Sequence, residues 1–216
     1  MKWRALAAGL LAGLLLLAPA RLLLPAPPLA AAAIEGAWWR ADLAGATLGQ
    51  ARLGDVGLRW QPAGLARGRL EWQASGALAG RIWRASRAWG GDGLSGMLAG
   101  ASLPGLPAGD VTLADAGIAL DDGGRCRSAS GQVALQLAAP IAGSRNLAGP
   151  LLCEAGVIKL PLASRDGRVQ LDLVLAPAGW QATLVADGAA PAELLALGGG
   201  DATPGLLRLE RKGQWQ

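Results

Sequence analysis

From Ile34 onward apolar and polar residues alternate with a period of two, and no window of ten or more residues holds a 3.6-residue period. A chain patterned this way can bury one side of a strand but not one side of a long helix. Val56, Leu58 and Trp60 alternate with Gly57, Arg59 and Gln61, and Leu70 and Trp72 with Arg69, Glu71 and Gln73. The same pattern recurs at Val133, Leu135 and Leu137, at Ile158, Leu160 and Leu162, at residues 169–175, and at Trp180, Ala182 and Leu184. Between these runs stand turn signals: Gly90-Gly91-Asp92-Gly93, Asp121-Asp122-Gly123-Gly124, Ser164-Arg165-Asp166-Gly167 and Pro177-Ala178-Gly179. Short strands spaced by tight turns predict a mainly β domain of meandering antiparallel strands, built either as a curved sheet or as two packed sheets. A seam near residues 101–109 would divide two sheet halves. One short C-terminal helix is predicted at residues 191–197, which open on Pro191 and Glu193 and stop at three glycines.

The N-terminus follows a different rule. Lys2 and Arg4 precede residues 5–20, which are uncharged and almost wholly Ala, Leu and Gly. Sixteen helical residues reach about 24 Å, and extension past a snorkelling Arg21 to Leu24 approaches the ~30 Å of a hydrocarbon core. Pro25, Pro27 and Pro28 then stop a helix. A cleaved signal peptide, cut within residues 30–33, and an uncleaved anchor both fit, and the length of the apolar run favours the anchor. The organisation read from the chain is an N-terminal transmembrane anchor at 1–24, a Pro/Ala linker at 25–33 and a β-rich domain at 34–216. The charge pattern places the N-terminus in the cytoplasm and the domain across the membrane.

The 216 residues contain no His, which removes His-based triads, His general bases and His-ligated metal sites. No GxSxG, Walker A or metal-ligand spacing is present, and the GxGxxG string at Gly91–Gly96 opens no helical period, so the residues indicate no enzyme and no cofactor. The net charge of +4 owes three positive charges to Lys2, Arg4 and Arg21. The rest is nearly balanced and gives little reason to expect nucleic acid. Cys126 and Cys153 are neither a CxxC pair nor, without His, an ordinary zinc site. Two unrelated buried thiols remain one reading. The export segment favours the other, a disulfide. A hairpin turning within residues 140–146 would bring the two cysteines near each other, given one bulge or an uneven turn.

Arg52, Arg59, Arg67, Arg69, Arg81, Arg84 and Arg87 interleave with Trp60, Trp72, Trp83 and Trp89. Arg59, Arg67, Arg69, Arg81, Arg84 and Arg87 are therefore a candidate interaction surface for anionic lipid or a partner protein. A solvated sheet face over packed Trp is the plainer reading. Trp38-Trp39 fits a first core strand better than an interfacial belt, and Asp121-Asp122 fits a hairpin turn better than an acid/base pair.

Together these residues resemble a family. A short apolar anchor ending at Pro19-Ala20 is followed by Gly36 and Trp39, then Leu53-Gly54 and Trp60, Pro62, and Gly68-Arg69-Leu70. Cys126, Ser130-Gly131-Gln132-Val133, and Leu147-Ala148-Gly149-Pro150-Leu151-Leu152-Cys153 continue the order, with Leu194, Gly198 and Gly205-Leu206-Leu207-Arg208-Leu209 near the end. In this order and spacing the chain resembles protein N of the bacterial type II (general) secretion pathway. It departs from that pattern where Arg40-Ala41, not Ser-Gly, follows Trp39. The resemblance implies a single-pass inner-membrane protein with a periplasmic domain, accessory to export and not catalytic. Its implied partners are other type II secretion components and the inner membrane. It also implies a distant relation to β-rich proteins that handle lipid, which makes a lipid-binding or lipid-transfer module with an apolar β-groove the alternative function.

Overall fold

The computed structural model describes residues 29–48, 51–101, 106–188, 201–203 and 206–214. Its first strands are β1 (Leu29–Ala30), β2 (Ala33–Ala37), β3 (Arg40–Leu48) and β4 (Ala51–Trp60). A 3-10 helix, Pro62–Arg67, leads to β5 (Arg69–Gly76), β6 (Leu78–Ala85), β7 (Ala88–Ala101) and β8 (Gly109–Asp121). There follow β9 (Cys126–Ile141), β10 (Ser144–Pro150), β11 (Leu152–Glu154) and β12 (Val157–Ser164). The last are β13 (Val169–Ala176), β14 (Gly179–Asp187), β15 (Asp201–Thr203) and β16 (Leu206–Gln214).

All sixteen belong to one sheet, and every pairing is antiparallel between near neighbours in sequence. Of the two architectures left open by the sequence, the strands form the single sheet. Two of its two-residue turns have the left-handed form that hairpins favour. Ala142 and Gly143 have φ of 46° and 79°, and Ala155 and Gly156 have 50° and 80°, so both central residues of each turn are left-handed. One exception to simple meandering follows from strand length. β5 and β6 are eight residues each, while β4 and β7 are ten and fourteen. Beyond the tip of the short hairpin the longer strands meet directly, Arg52 opposite Ala99.

The inward face is the one the alternation specifies. Leu162, Leu171, Leu184 and Leu209 stand in register across four strands, and all are buried. They belong to a large apolar cluster that runs from Ala116 to Leu209. A second cluster gathers Leu43, Leu53, Val56, Leu58 and Ala74, with Trp72 and Ile82 packed against it.

Several expectations are corrected. The Gly90-Gly91-Asp92-Gly93 run is not a turn but part of β7, where the register shifts between Gly91 and Leu94. Trp38-Trp39 is not strand but the turn between β2 and β3. The Trp38 ring packs against that of Trp60, centroids 5.0 Å apart and planes tilted by 53°, and the Trp38 carbonyl accepts the Trp72 Nε1–H at 3.0 Å. Sheet pairing begins inside the segment read as linker, since Leu29 pairs with Leu48. The expected anchor at 1–24, the C-terminal helix at 191–197 and part of the seam, residues 102–105, lie outside the described residues. Among the described residues no helix is long and apolar enough to cross a membrane.

Candidate functional site

The arginine-rich stretch is divided by the fold into three environments. Gly68, at φ 69°, ends the 3-10 helix and turns the chain back along β5. This lays the helix over the outer side of the sheet. A Cβ at Gly64 would come within 2.7 Å of the Glu71 Cβ, so only a glycine lets the two segments approach this closely. Glu71 is thereby 2% exposed. Its carboxylate is met by Arg67 Nη2 at 2.8 Å and Arg69 Nε at 3.0 Å. Arg69 also reaches Asp92 at 3.2 Å and lies 5.0 Å over the Trp83 ring. Arg67 and Arg69 are thus committed to holding a buried acid, because a carboxylate out of water needs compensating charge.

Arg59 and Arg81 occupy the second environment. Cross-strand pairing runs Arg40, Arg59, Gln73, Arg81, Asp92, which places them in one exposed row on the outer face. Arg84 lies in the third, on the opposite face, where the row runs Leu70, Arg84, Trp89, Leu120. Arg87 sits in the β6–β7 turn beside it. The six residues therefore do not form one surface. The buried role of Glu71 was not legible, since its position in the alternation reads as solvent-facing. The Pro-Ala-Gly beginning the 3-10 helix and the Gly68-Arg69 that follows were the available signal.

Asp121 acts in the turn the sequence assigned to it. Its Oδ1 accepts the backbone N–H of Gly123 and of Arg125, each at 2.9 Å. At the opposite end of the sheet the Ser164 hydroxyl donates to Asp166 at 2.6 Å and accepts the Val169 N–H at 3.0 Å. That hydroxyl is the chief reason the Asp166 carboxyl is held below its ordinary pKa. Among the described residues no three His, Cys, Asp or Glu gather where a metal ion could bind.

Cys126 and Cys153 form a disulfide, with Cα atoms 5.8 Å apart. The route differs in one respect from the hairpin expectation. Cys153 does not end the strand containing Leu147. That strand stops at Pro150, and the buried Leu151 donates its N–H to Gly131. Cys153 lies in β11, which folds back on β12, while the Cys126 N–H bonds the Gly156 carbonyl at 2.9 Å. The register shift after Ser144 is the irregularity the pairing needed.

Fold and site together define a disulfide-clasped β-meander whose charged groups serve turns, ion pairs and exposed faces. The model of the family "type II secretion system (T2SS), protein N" matches residues 27–210, and the chain belongs to that family. No curated protein and no solved structure matches the chain.

Proposed function

We propose that the protein is a non-enzymatic accessory component of the type II secretion apparatus, held in the inner membrane by residues 1–24 with its β-domain in the periplasm. The family match over residues 27–210 carries this reading. The disulfide supports the compartment, because such bonds persist where the surroundings are oxidising. The Lys2–Arg4 cluster ahead of an uncharged apolar run supports the anchor. In this role the protein contributes surfaces instead of chemistry, and its partners are other components of the apparatus. Deleting the gene and assaying proteins in the medium tests the assignment. Secretion should fall while the cell's total content of the exported proteins is maintained. Unchanged secretion with the other components at normal levels overturns it.

A further inference from the structure

The long strands of the meander run between two ends of the sheet, and the two differ. The chain enters at one of them, where Leu29 pairs with Leu48. The other end holds the β2–β3, β6–β7 and β8–β9 turns and the 3-10 helix. β3 spans the distance with nine residues, about 30 Å at the rise of an extended strand. Of the exposed large apolar side chains, Met97 and Leu206 lie toward the entry end, whereas Trp39, Leu65, Leu70, Trp89 and Leu152 lie at this second end, with Leu65 at 55%, Leu70 at 41% and Trp89 at 46%. Leu70, Arg84 and Trp89 are direct cross-strand neighbours on one face, so they form a continuous row about 10 Å across. Exposed Arg87 adjoins it in the turn.

The positive charge of the row meets no paired acid. Glu71 is buried under Arg67 and Arg69 and Glu154 pairs with Lys159, while Asp121, which holds its own turn, and the exposed Asp122 make no ion pair among the described residues. Arg84 and Arg87 have no ion pair among the described residues. An exposed Trp flanked by uncompensated arginines has the composition of the centre of a protein interface.

We infer that the row Leu70–Arg84–Trp89, with Arg87, is a docking surface for an acidic protein surface on another component of the secretion apparatus. Resting on the function proposed above, the inference puts docking at the end of the sheet opposite the anchor. A chain tethered through residue 29 holds that end some 30 Å from the point where the membrane segment joins, so an anionic bilayer is the poorer match.

The test places a photoreactive phenylalanine derivative at position 70 of the full-length chain in intact cells and identifies its adducts by mass spectrometry. The expected adduct is an Asp- and Glu-rich peptide of another secretion component. Its yield should drop about tenfold or more in Trp89→Ala and in Arg84→Glu/Arg87→Glu, as for central interface residues. Charge reversal of Arg165 and Arg168, at the opposite end, should leave it unchanged. Adducts with phospholipid or with a second copy of the chain overturn the docking surface, as do no adduct and an adduct indifferent to Arg84 and Arg87. A charge-dependent adduct with an acidic protein outside the apparatus would keep the surface and overturn the proposed function instead. The gene-deletion assay judges that function separately.

Discussion

Ser164 shows how much one side chain can settle. It is 6% exposed, and its single hydroxyl serves both the Asp166 carboxylate and the Val169 N–H, closing the turn between β12 and β13. In Ser164→Ala the buried Val169 N–H loses its acceptor, at a cost of about 1–3 kcal/mol. Asp166 should return toward its ordinary pKa in the same variant, because its largest stabilising contact is gone. The sign follows from the lowered folded value. The contribution of Asp166 is present above the ordinary carboxylate pKa and is lost as pH falls through the lowered one. Carboxyl-carbon NMR titration of both proteins, with urea melts at pH 7, checks the pair of effects. An unchanged Asp166 titration in the alanine variant would refute the assignment. Position alone did not reveal this arrangement, although Ser-x-Asp-Gly did announce the turn. Glu71 marks the limit of the same reading. Period-two alternation reports which side of a strand a residue occupies, and says nothing about whether a separate segment covers the outer side, as the 3-10 helix does there.

At the scale of elements the alternation was sufficient where both neighbours are regular. Strands β12, β13 and β14 were legible because Leu162, Leu171 and Leu184 repeat on one face and the connecting turns carry Gly, Pro and Asp. It failed at β7, where glycine usually marks a turn but here serves close strand approach. A Cβ on Gly90 would stand 2.0 Å from the Ile118 carbonyl oxygen across the β7–β8 ladder. The clash is with backbone on a paired strand, so neither partner can rotate away. Gly90→Ala should therefore cost about 2–3 kcal/mol, in the range of overpacked interiors. Gly143→Ala provides the contrast. Nothing lies within 4 Å of its Cβ, and only its φ of 79° opposes the substitution, so its cost should be nearer 1 kcal/mol. Denaturant midpoints of the two variants check the order, and equal losses would show that the Gly90 backbone can yield. The direct contact between β4 and β7 was likewise not legible, since it depends on the relative lengths of four strands and on no local pattern.

For the molecule as a whole, sequence-neighbour pairing has a mechanical consequence. In a sheet where each strand bonds chiefly the next, opening at one ladder need not disturb ladders far along it. The disulfide is the covalent exception. It ties the start of β9 to β11, which lies beside it just past the end of β10, and closes a loop over a separation of 27 residues. That loop contains β10 and the Ala142–Gly143 turn, and its residues Val133, Leu137, Ile141, Leu147 and Leu151 belong to the large apolar cluster. The bond therefore constrains the unfolded chain in the region that supplies much of the core. The chain-entropy model assigns a loop of this length about 3–4 kcal/mol. Cys126→Ser/Cys153→Ser should lose at least that much, about 3–5 kcal/mol, because the two buried or half-buried sites also become polar. Native-state hydrogen exchange should show where. Amides of β9, β10 and β12 should exchange faster in the double variant, while those of β4, β5 and β6, in the second cluster, change little. Wild-type protein treated with a reductant should reproduce the same map. Uniform loss of protection across both clusters would mean that the sheet unfolds as one cooperative unit, and that the disulfide stabilises all of it instead of one region.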